Sequence, residues 1–123
     1  MRESADGCKV ITKTESHEDQ RNLPSEKTLE EMTSLFKVLA NQLRLKILYS
    51  IRRKRARVCE IARIVEMDIS AVSHQLRILK LANLVKSKRI GREVYYRLAN
   101  KQIIETIELI YTHVKNRRGK SRK

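Results

Sequence analysis

The stretch ISAVSHQLRILK, residues 69–80, carries two helical patterns at once. At about 100° per residue, Val72, Leu76 and Leu79 fall on one side of a helix, with the spacing of a face that packs into a core. Polar residues repeat at the same interval on the opposite side. These residues, which we call the reading face, are Ser70, Ser73, His74 and Arg77, with Gln75 beside them. We interpret the reading face as a surface that contacts base edges in the major groove of DNA, with a merely solvated helix surface as the alternative.

The elements on either side of this helix support the interpretation. Residues 58–67, VCEIARIVEM, predict a short helix, and the tight EMD connection after it completes a helix-turn-helix. Residues 84–89 and 93–98 predict two strands joined at Gly91, which makes the motif winged. The predicted fold class is therefore mainly α with a small β-hairpin, a winged helix-turn-helix. Four hairpin cations are expected to contact the neighbouring minor groove or phosphates: Lys86, Lys88, Arg89 and Arg92.

Single residues predict the ends of the helices. Ser25 is a candidate N-cap of the first helix, while Thr28 and Glu31 offer a capping box slightly later in the chain. The other helix-end residues are Asn41 and Asp68 as N-caps, and Asn83 as a residue that tolerates the left-handed conformation closing a helix.

Periodicity divides the chain into three parts. Residues 1–24 predict a flexible N-terminal arm, residues 25–114 a winged-helix domain for DNA binding and dimerisation, and residues 115–123 a basic C-terminal tail. The last helix has an apolar stripe larger than so small a domain can cover, so we expect a homodimer whose interface includes this helix and the first one. Packing on its own domain alone is the alternative. The stripe consists of Ile103, Ile104, Ile107, Ile110, Tyr111 and Val114.

The charge balance indicates a polyanionic partner. The chain has 28 Lys and Arg against 14 Asp and Glu residues, a net charge of +14 and a pI of about 10.2. A non-specific architectural DNA- or RNA-binding protein would share this charge, and it stays open as the alternative function. An enzyme is not predicted, because the chain has no phosphate-binding glycine loop, paired carboxylates or nucleophile motif. No apolar run reaches the ~20 residues that span a bilayer, so we expect a cytoplasmic protein with no membrane partner.

Three stretches, taken together, resemble the ArsR/SmtB family of winged helix-turn-helix transcriptional repressors. LFKVLANQLRLKIL, residues 35–48, is similar to the junction of that family's first two helices, with Asn41 where an aspartate is usual. ISAVSHQLRILKLANLV, residues 69–85, is similar to its recognition helix, and GREVYYRL, residues 91–98, to its wing. The resemblance implies a DNA-binding homodimer with the last helix at its interface. It also implies an operator in double-stranded DNA that is an imperfect inverted repeat, and an inducer that releases the protein from it.

The resemblance directs attention to two cysteines as the place where an inducer acts. Members of the family often bind thiophilic metals through a Cys-x-Cys at the start of the third helix, where this chain has Arg57 and then Cys59. In some relatives cysteines of the arm complete the site, and Cys8 stands in the arm. Three interpretations of Cys8 and Cys59 stay open. They are incidental and core residues, a two-thiolate site for a soft metal ion helped by His17, or a thiol switch that forms a disulfide or persulfide.

The family's other metal site lies on the last helix and uses carboxylate and histidine ligands. The matching positions here are Asn100, Gln102, His113 and Asn116, and only His113 agrees. Amides are poor transition-metal ligands beside imidazole and carboxylate, so we expect no zinc site on this helix. The identity of any cofactor stays unknown.

Overall fold

A computed structural model of the chain describes residues 22–121. Cys8, His17 and most of the predicted arm lie outside the described residues. The described residues fall into two units that divide between Ser34 and Leu35. In chain order the elements are α1 (Glu26–Leu39), α2 (Gln42–Ser50), β1 (Ala56–Arg57), α3 (Val58–Val65), α4 (Ile69–Leu81), β2 (Val85–Ile90), β3 (Glu93–Leu98) and α5 (Lys101–Ser121). The predicted class, mainly helical with a small β component, is confirmed.

Helix α1 begins one turn earlier than a Thr28 cap would place it. The Ser25 hydroxyl accepts a hydrogen bond from the backbone N–H of Thr28 at 3.1 Å, so Ser25 is the N-cap and the helix starts at Glu26. The predicted capping box of Thr28 and Glu31 is wrong, because both residues already lie inside the helix. Ser25 is the first suitable capping hydroxyl after Pro24, and because it caps the helix, Thr28 lies within the first turn and cannot be the N-cap.

Local hydrogen bonds and left-handed residues define the ends of the helices in the helix-turn-helix. The Asp68 carboxylate accepts from the backbone N–H of Ala71 at 3.0 Å, which starts α4 as predicted. In the connection between α3 and α4, Glu66 has a left-handed φ of 59°, and its backbone N–H donates to the carbonyl oxygens of Ala62 and Arg63 in the last turn of α3. Asn83 has a φ of 61° after α4, which confirms its predicted conformation. Asn41 likewise caps α2, accepting from the N–H of Arg44 at 3.0 Å.

The core lies between helices α2, α3 and α4 and the sheet. The three apolar residues predicted to face it from α4 are all fully buried, at 0% exposure. Further core residues come from α2 and its C-cap Ile51, from α3 and, through Ile107, from α5, and Leu84 and Val85 close the core at the start of β2. The largest fully buried side chains are Ile47, Leu48, Ile51, Ile61, Leu76, Leu79, Val72 and Val85. Because Val72, Leu76 and Leu79 are buried in the core, α4 can pack in only one orientation. That orientation determines which side chains of α4 are exposed to solvent.

The hairpin has the predicted strands and a third strand that the sequence pattern did not reveal. The antiparallel sheet has the order β1-β3-β2, with Ala56 opposite Tyr96 on one side of β3 and Val85 opposite Leu98 on the other. Gly91 takes a φ of 64° in the turn between Ile90 and Glu93, as predicted. The two-residue β1 holds the cationic loop 52–55 against the base of the hairpin.

Helix α5 is longer than the apolar stripe alone predicts. It continues beyond Val114 to Ser121, into the segment predicted as a basic tail. Lysine and arginine are good helix formers, so the charged residues extend the helix instead of ending it. Within the described residues, no helix is long and apolar enough to cross a membrane.

Candidate nucleic-acid interface

The reading face is displayed at the surface of α4. Ser70, His74 and Arg77 are exposed, and Ser73 is partly buried between them. The opposite side of the helix is fully buried, so the helix cannot rotate to hide these residues without emptying the core. The structure therefore brings four hydrogen-bonding side chains of the predicted set together on one side of α4.

Gln75 differs from the rest of the predicted set. It is partly buried, and its Oε1 accepts a hydrogen bond from Nε of Arg44 at 2.7 Å. Nη1 of the same guanidinium donates to the carbonyl oxygen of Val38 at 3.0 Å. Gln75 thus links the recognition helix to α2 and to the end of α1, and its carbonyl oxygen is engaged inside the protein.

The cations of the hairpin divide between the two faces of the sheet. Lys86 and Lys88 stand opposite Arg97 and Tyr95 and share one face with them. Arg89 lies on the other face, in line with Ser87, and its Nε donates to the carbonyl oxygen of Gly91 at 3.3 Å. All the predicted hairpin cations, Lys86, Lys88, Arg89 and Arg92, are exposed.

A direct side-chain contact fixes the hairpin against the recognition helix. Nζ of Lys80, in the last turn of α4, donates to the hydroxyl of Ser87 at 2.7 Å. The backbone N–H of Ala99 also donates to the carbonyl oxygen of Leu84 at 2.9 Å, which joins the end of β3 to the start of β2. These contacts connect the end of α4 to β2 and the start of β2 to the end of β3, so the reading face and the hairpin are held next to each other.

The apolar stripe of α5 divides into an inner and an outer half. Ile107 is buried in the core, and Ile103 and Ile104 pack against it. Ile110, Tyr111 and Val114 are exposed by 51%, 53% and 37%. They line an apolar groove of about 390 Å³ together with Phe36, Leu39, Leu45 and Tyr49. We call it the α5 groove.

Tyr49 gives the α5 groove an unusual polar feature. Its ring meets the ring of Tyr111 edge-on with centroids 6.5 Å apart, and its hydroxyl is buried. Among the described residues this hydroxyl has no hydrogen-bond partner. Burial, and next the charge of Glu108, raise the pKa of Tyr49 above its ordinary value. Such a buried hydroxyl is costly unless another surface supplies the missing partner.

Cys59 lies in the first turn of α3, partly buried and free of any disulfide within the described residues. Its neighbour Arg57 is engaged in ion pairs, with Nε 3.4 Å from the Glu60 carboxylate and Nη1 3.6 Å from that of Glu93. Hydrogen bonds from Arg57, first from its backbone and then from its side chain, lower the pKa of Glu60. The described residues contain no group of three or more His, Cys, Asp or Glu that would hold a metal ion.

Arg44, which stands where the resembled family also has an arginine, has a structural role that the sequence interpretation did not assign, although its position carried a signal. It lies three and four residues before Ile47 and Leu48, so it shares the buried side of α2. A cation within an apolar stripe requires a hydrogen-bonding partner inside the protein. That partner, Gln75, is 31 positions away, and no local pattern identifies it.

Comparison with known proteins agrees with this geometry. A family described as "Bacterial regulatory protein, arsR family" matches residues 41–87, from the N-cap of α2 into β2. The chain is 38% identical over 85 residues to a "Transcriptional repressor SmtB homolog" of Synechocystis sp., a match that covers 69% of this chain and 64% of that protein. It is 30% identical over 113 residues to a "Cadmium resistance transcriptional regulatory protein CadC homolog" of Staphylococcus aureus, covering 88% of this chain and 91% of the relative.

A solved structure extends the similarity to the fold. It is the solution structure of a homodimeric winged helix-turn-helix DNA-binding domain from Mycobacterium bovis, described as a possible ArsR-family transcriptional regulator. The two chains are similar with a TM-score of 0.69 at 27% sequence identity. The match covers 78% of this chain and 92% of the other.

Proposed function

Because the chain belongs to the arsR family of bacterial regulatory proteins, we propose that it is a sequence-specific DNA-binding transcriptional repressor that acts as a homodimer. Members of this family are transcriptional regulators and not enzymes. The observation that carries the proposal is the two-sided α4. Its apolar side is fully buried, while Ser70, His74 and Arg77 are exposed on the other side.

Each part of the surface has its own role in DNA binding. The reading face enters the major groove, where Arg77 recognises a base edge and the shorter side chains of Ser70 and Ser73 accept or donate hydrogen bonds. The exposed hairpin cations neutralise phosphates or enter the neighbouring minor groove. Gln75 keeps the recognition helix in register through Arg44 and adds its amide N–H groups to the reading face. Residues 25–114 form the DNA-binding and dimerisation domain in this scheme.

The two-fold symmetry of a homodimer determines the form of the operator. In a dimer, the two recognition helices contact successive major grooves on one side of the DNA, which lie about one helical turn, roughly 34–36 Å, apart. The operator is therefore an imperfect inverted repeat in double-stranded DNA. The homodimeric state of the similar Mycobacterium bovis domain supports this arrangement.

Selection of duplexes from a random library by the purified, reduced chain tests this function. The best duplex and a shuffled one are then titrated at several salt concentrations. We expect a preference of about 10³-fold or more for the selected sequence, because base contacts add to phosphate contacts that both duplexes share. Equal affinities and no enriched sequence would instead identify a non-specific architectural protein, the function that charge alone suggests.

The α5 groove is the dimer interface in this proposal. Its exposed residues Ile110, Tyr111 and Val114 continue the apolar stripe out of the core, so a second copy would extend a surface that is already packed. The buried Tyr49 hydroxyl lacks a partner within the described chain, and a second protomer is the natural source of one.

Ile110→Glu is expected to weaken the dimer by at least about tenfold in dissociation constant, because the charge would have to be buried in an apolar interface. Analytical ultracentrifugation over a range of protein concentrations measures this. The matched control is Leu109→Glu, since Leu109 is 74% exposed and does not line the groove. The control should dimerise like the unmodified chain. Equal behaviour of the two variants would show that the interface lies elsewhere.

Release from DNA acts through the thiol of Cys59 in this proposal. Cys59 is partly buried in the first turn of the first helix of the helix-turn-helix, so a group added to its sulfur would disturb the start of this helix. The CadC homolog, a cadmium resistance regulator, supports a thiophilic signal. The described residues alone do not fit a metal ion, and we derive no step from a bound one. Cys8 is the proposed second thiol, for a soft ion or for an oxidised pair.

Adding Cd(II), arsenite or a mild oxidant to the reduced, metal-free protein on its operator is expected to release the DNA in at least one case. Cys59→Ser should abolish that release while leaving operator affinity in the untreated state unchanged, because serine keeps the size of the side chain. Fluorescence anisotropy of a labelled operator records both properties. If no addition changes the affinity of the unmodified chain, the cysteines have no role in sensing.

A further inference from the structure

A second basic surface lies away from the reading face, at the base of the hairpin. It is a concavity of about 480 Å³ between the loop that follows α2, the end of β3 and the start of α5. We call it the basal concavity. No acidic side chain lines it within residues 22–121, and six cations do. These are Arg52, Arg53, Lys54, Arg55, Arg97 and Lys101.

Two of the loop cations, Arg52 and Arg55, are held in position by contacts within the fold. Nη1 of Arg52 donates to the carbonyl oxygen of Tyr49 at 2.9 Å, and its guanidinium lies 5.8 Å from the centre of the Tyr49 ring. The guanidinium of Arg55 lies 5.1 Å from the centre of the Tyr95 ring. The pairing of β1 with β3 holds the end of the loop. Contacts of this kind reduce the side-chain entropy that binding an anion would otherwise cost.

The basal concavity meets the other proposed DNA contacts where Arg97 stands opposite Lys86, and it extends from there away from the hairpin turn. Leu98 and Ala99 line it, and they lie at the opposite end of the hairpin from the turn at Gly91. Six strand residues at about 3.3 Å each place roughly 20 Å between the two ends. A duplex that touches only the reading face and the hairpin turn therefore leaves these six cations unused.

We propose that the basal concavity is a second DNA-binding surface, which holds phosphates of the duplex that flanks the operator without reading its sequence. This inference rests on the proposed function. Once the dimer is bound at its operator, the flanking duplex is the polyanion at the highest local concentration. Six cations in a lining that has no acidic side chain among the described residues match a phosphate backbone. Single-stranded RNA is disfavoured, because stacking needs open aromatic faces and Arg55 lies over the ring of Tyr95.

Two duplexes that contain the selected operator test the proposal, one of about 20 base pairs and one about twice as long with arbitrary flanks. We expect the unmodified chain to bind the longer duplex at least about tenfold more tightly at low salt. Its log affinity should also fall more steeply with log salt concentration, by about 0.9 for each additional phosphate contacted. Anisotropy titrations at several NaCl concentrations provide both quantities.

The test variant combines Arg53→Gln, Lys54→Gln and Lys101→Gln and leaves the ring-stacked arginines in place. The control combines Lys27→Gln, Lys37→Gln and Lys46→Gln, which removes the same charge from exposed positions on α1 and α2. The test variant should bind both duplexes alike while matching the unmodified chain on the short one. The control should keep the difference between the duplexes. Thermal unfolding monitored by circular dichroism verifies that all three proteins are folded.

Two results would overturn the inference. One is an unmodified chain that gains nothing from the flanks, and the other is a test variant that gains as much as the control. A test variant that loses affinity only for a structured RNA or for an acidic protein would assign the concavity to that partner instead. Failure of the proposed function itself would be seen earlier, since the unmodified chain would then select no operator.

Discussion

Arg77→Ala is expected to reduce the affinity for the selected operator by at least about thirtyfold while changing the affinity for shuffled DNA much less. One good side-chain contact to a base edge contributes about 1–3 kcal/mol of discrimination, and a homodimer on an inverted repeat loses it twice. Arg77 is exposed at the C-terminal end of the reading face, next to Leu76, which is fully buried in the core. His74→Ala should act in the same direction with a smaller effect. Anisotropy titrations against both duplexes measure the ratio.

The matched controls for Arg77→Ala are Lys88→Ala and Arg92→Ala on the hairpin. Both remove an exposed cation, but from positions assigned to phosphates. They should weaken operator and shuffled DNA alike and lower the salt dependence by roughly 0.9 for each phosphate contact removed. Equal losses on the two duplexes for all of these variants would contradict the assignment of the reading face.

Leu76→Ala is expected to lower the free energy of unfolding by about 2–5 kcal/mol. Leu76 is fully buried between α2, α3 and the hairpin, so truncation leaves a cavity lined by side chains that are already close-packed. A loss of this size is a large part of the stability of a small domain. Urea unfolding followed by circular dichroism measures it, at one protein concentration because dimerisation adds to the apparent stability.

The control for Leu76→Ala is Leu81→Ala on the same helix. Leu81 is 79% exposed, so the same substitution there should change the free energy of unfolding by no more than about 0.5 kcal/mol. A similar loss at both positions would mean that alanine disturbs the helix itself, and it would contradict the packing explanation.

Features that depend on neighbouring residues were predictable from the sequence. The caps at Asn41 and Asp68 and the left-handed residues Asn83 and Gly91 need only a few adjacent atoms, and they occur as expected. The buried side of α4 follows from its periodicity for the same reason. The local error at Thr28 arose where two suitable hydroxyls compete for the same helix end.

Features that depend on distant parts of the chain were not predictable in this way. Strand β1 has two residues, which show no alternation, and it exists only because β3 offers Tyr95 and Tyr96 as pairing partners. Arg44 and Gln75 meet only after α2 packs against α4. The basal concavity combines the four consecutive cations of residues 52–55, which are easily seen in the sequence, with Arg97 and Lys101, which no sequence pattern connects to them. The sequence therefore predicts which residues form the candidate site more completely than it predicts the long-range contacts that support them.

The strand order β1-β3-β2 leaves β2 with one unpaired edge among the described residues. Such an edge is a template on which another chain can add a strand and begin to aggregate. Lys86, Lys88 and Arg89 make that addition unfavourable, since two copies would bring like charges together and require each lysine and arginine to lose water. The same cations thus act against aggregation at this edge, independently of any contact with DNA. A hairpin rebuilt with valine or isoleucine would lose this protection together with its charge.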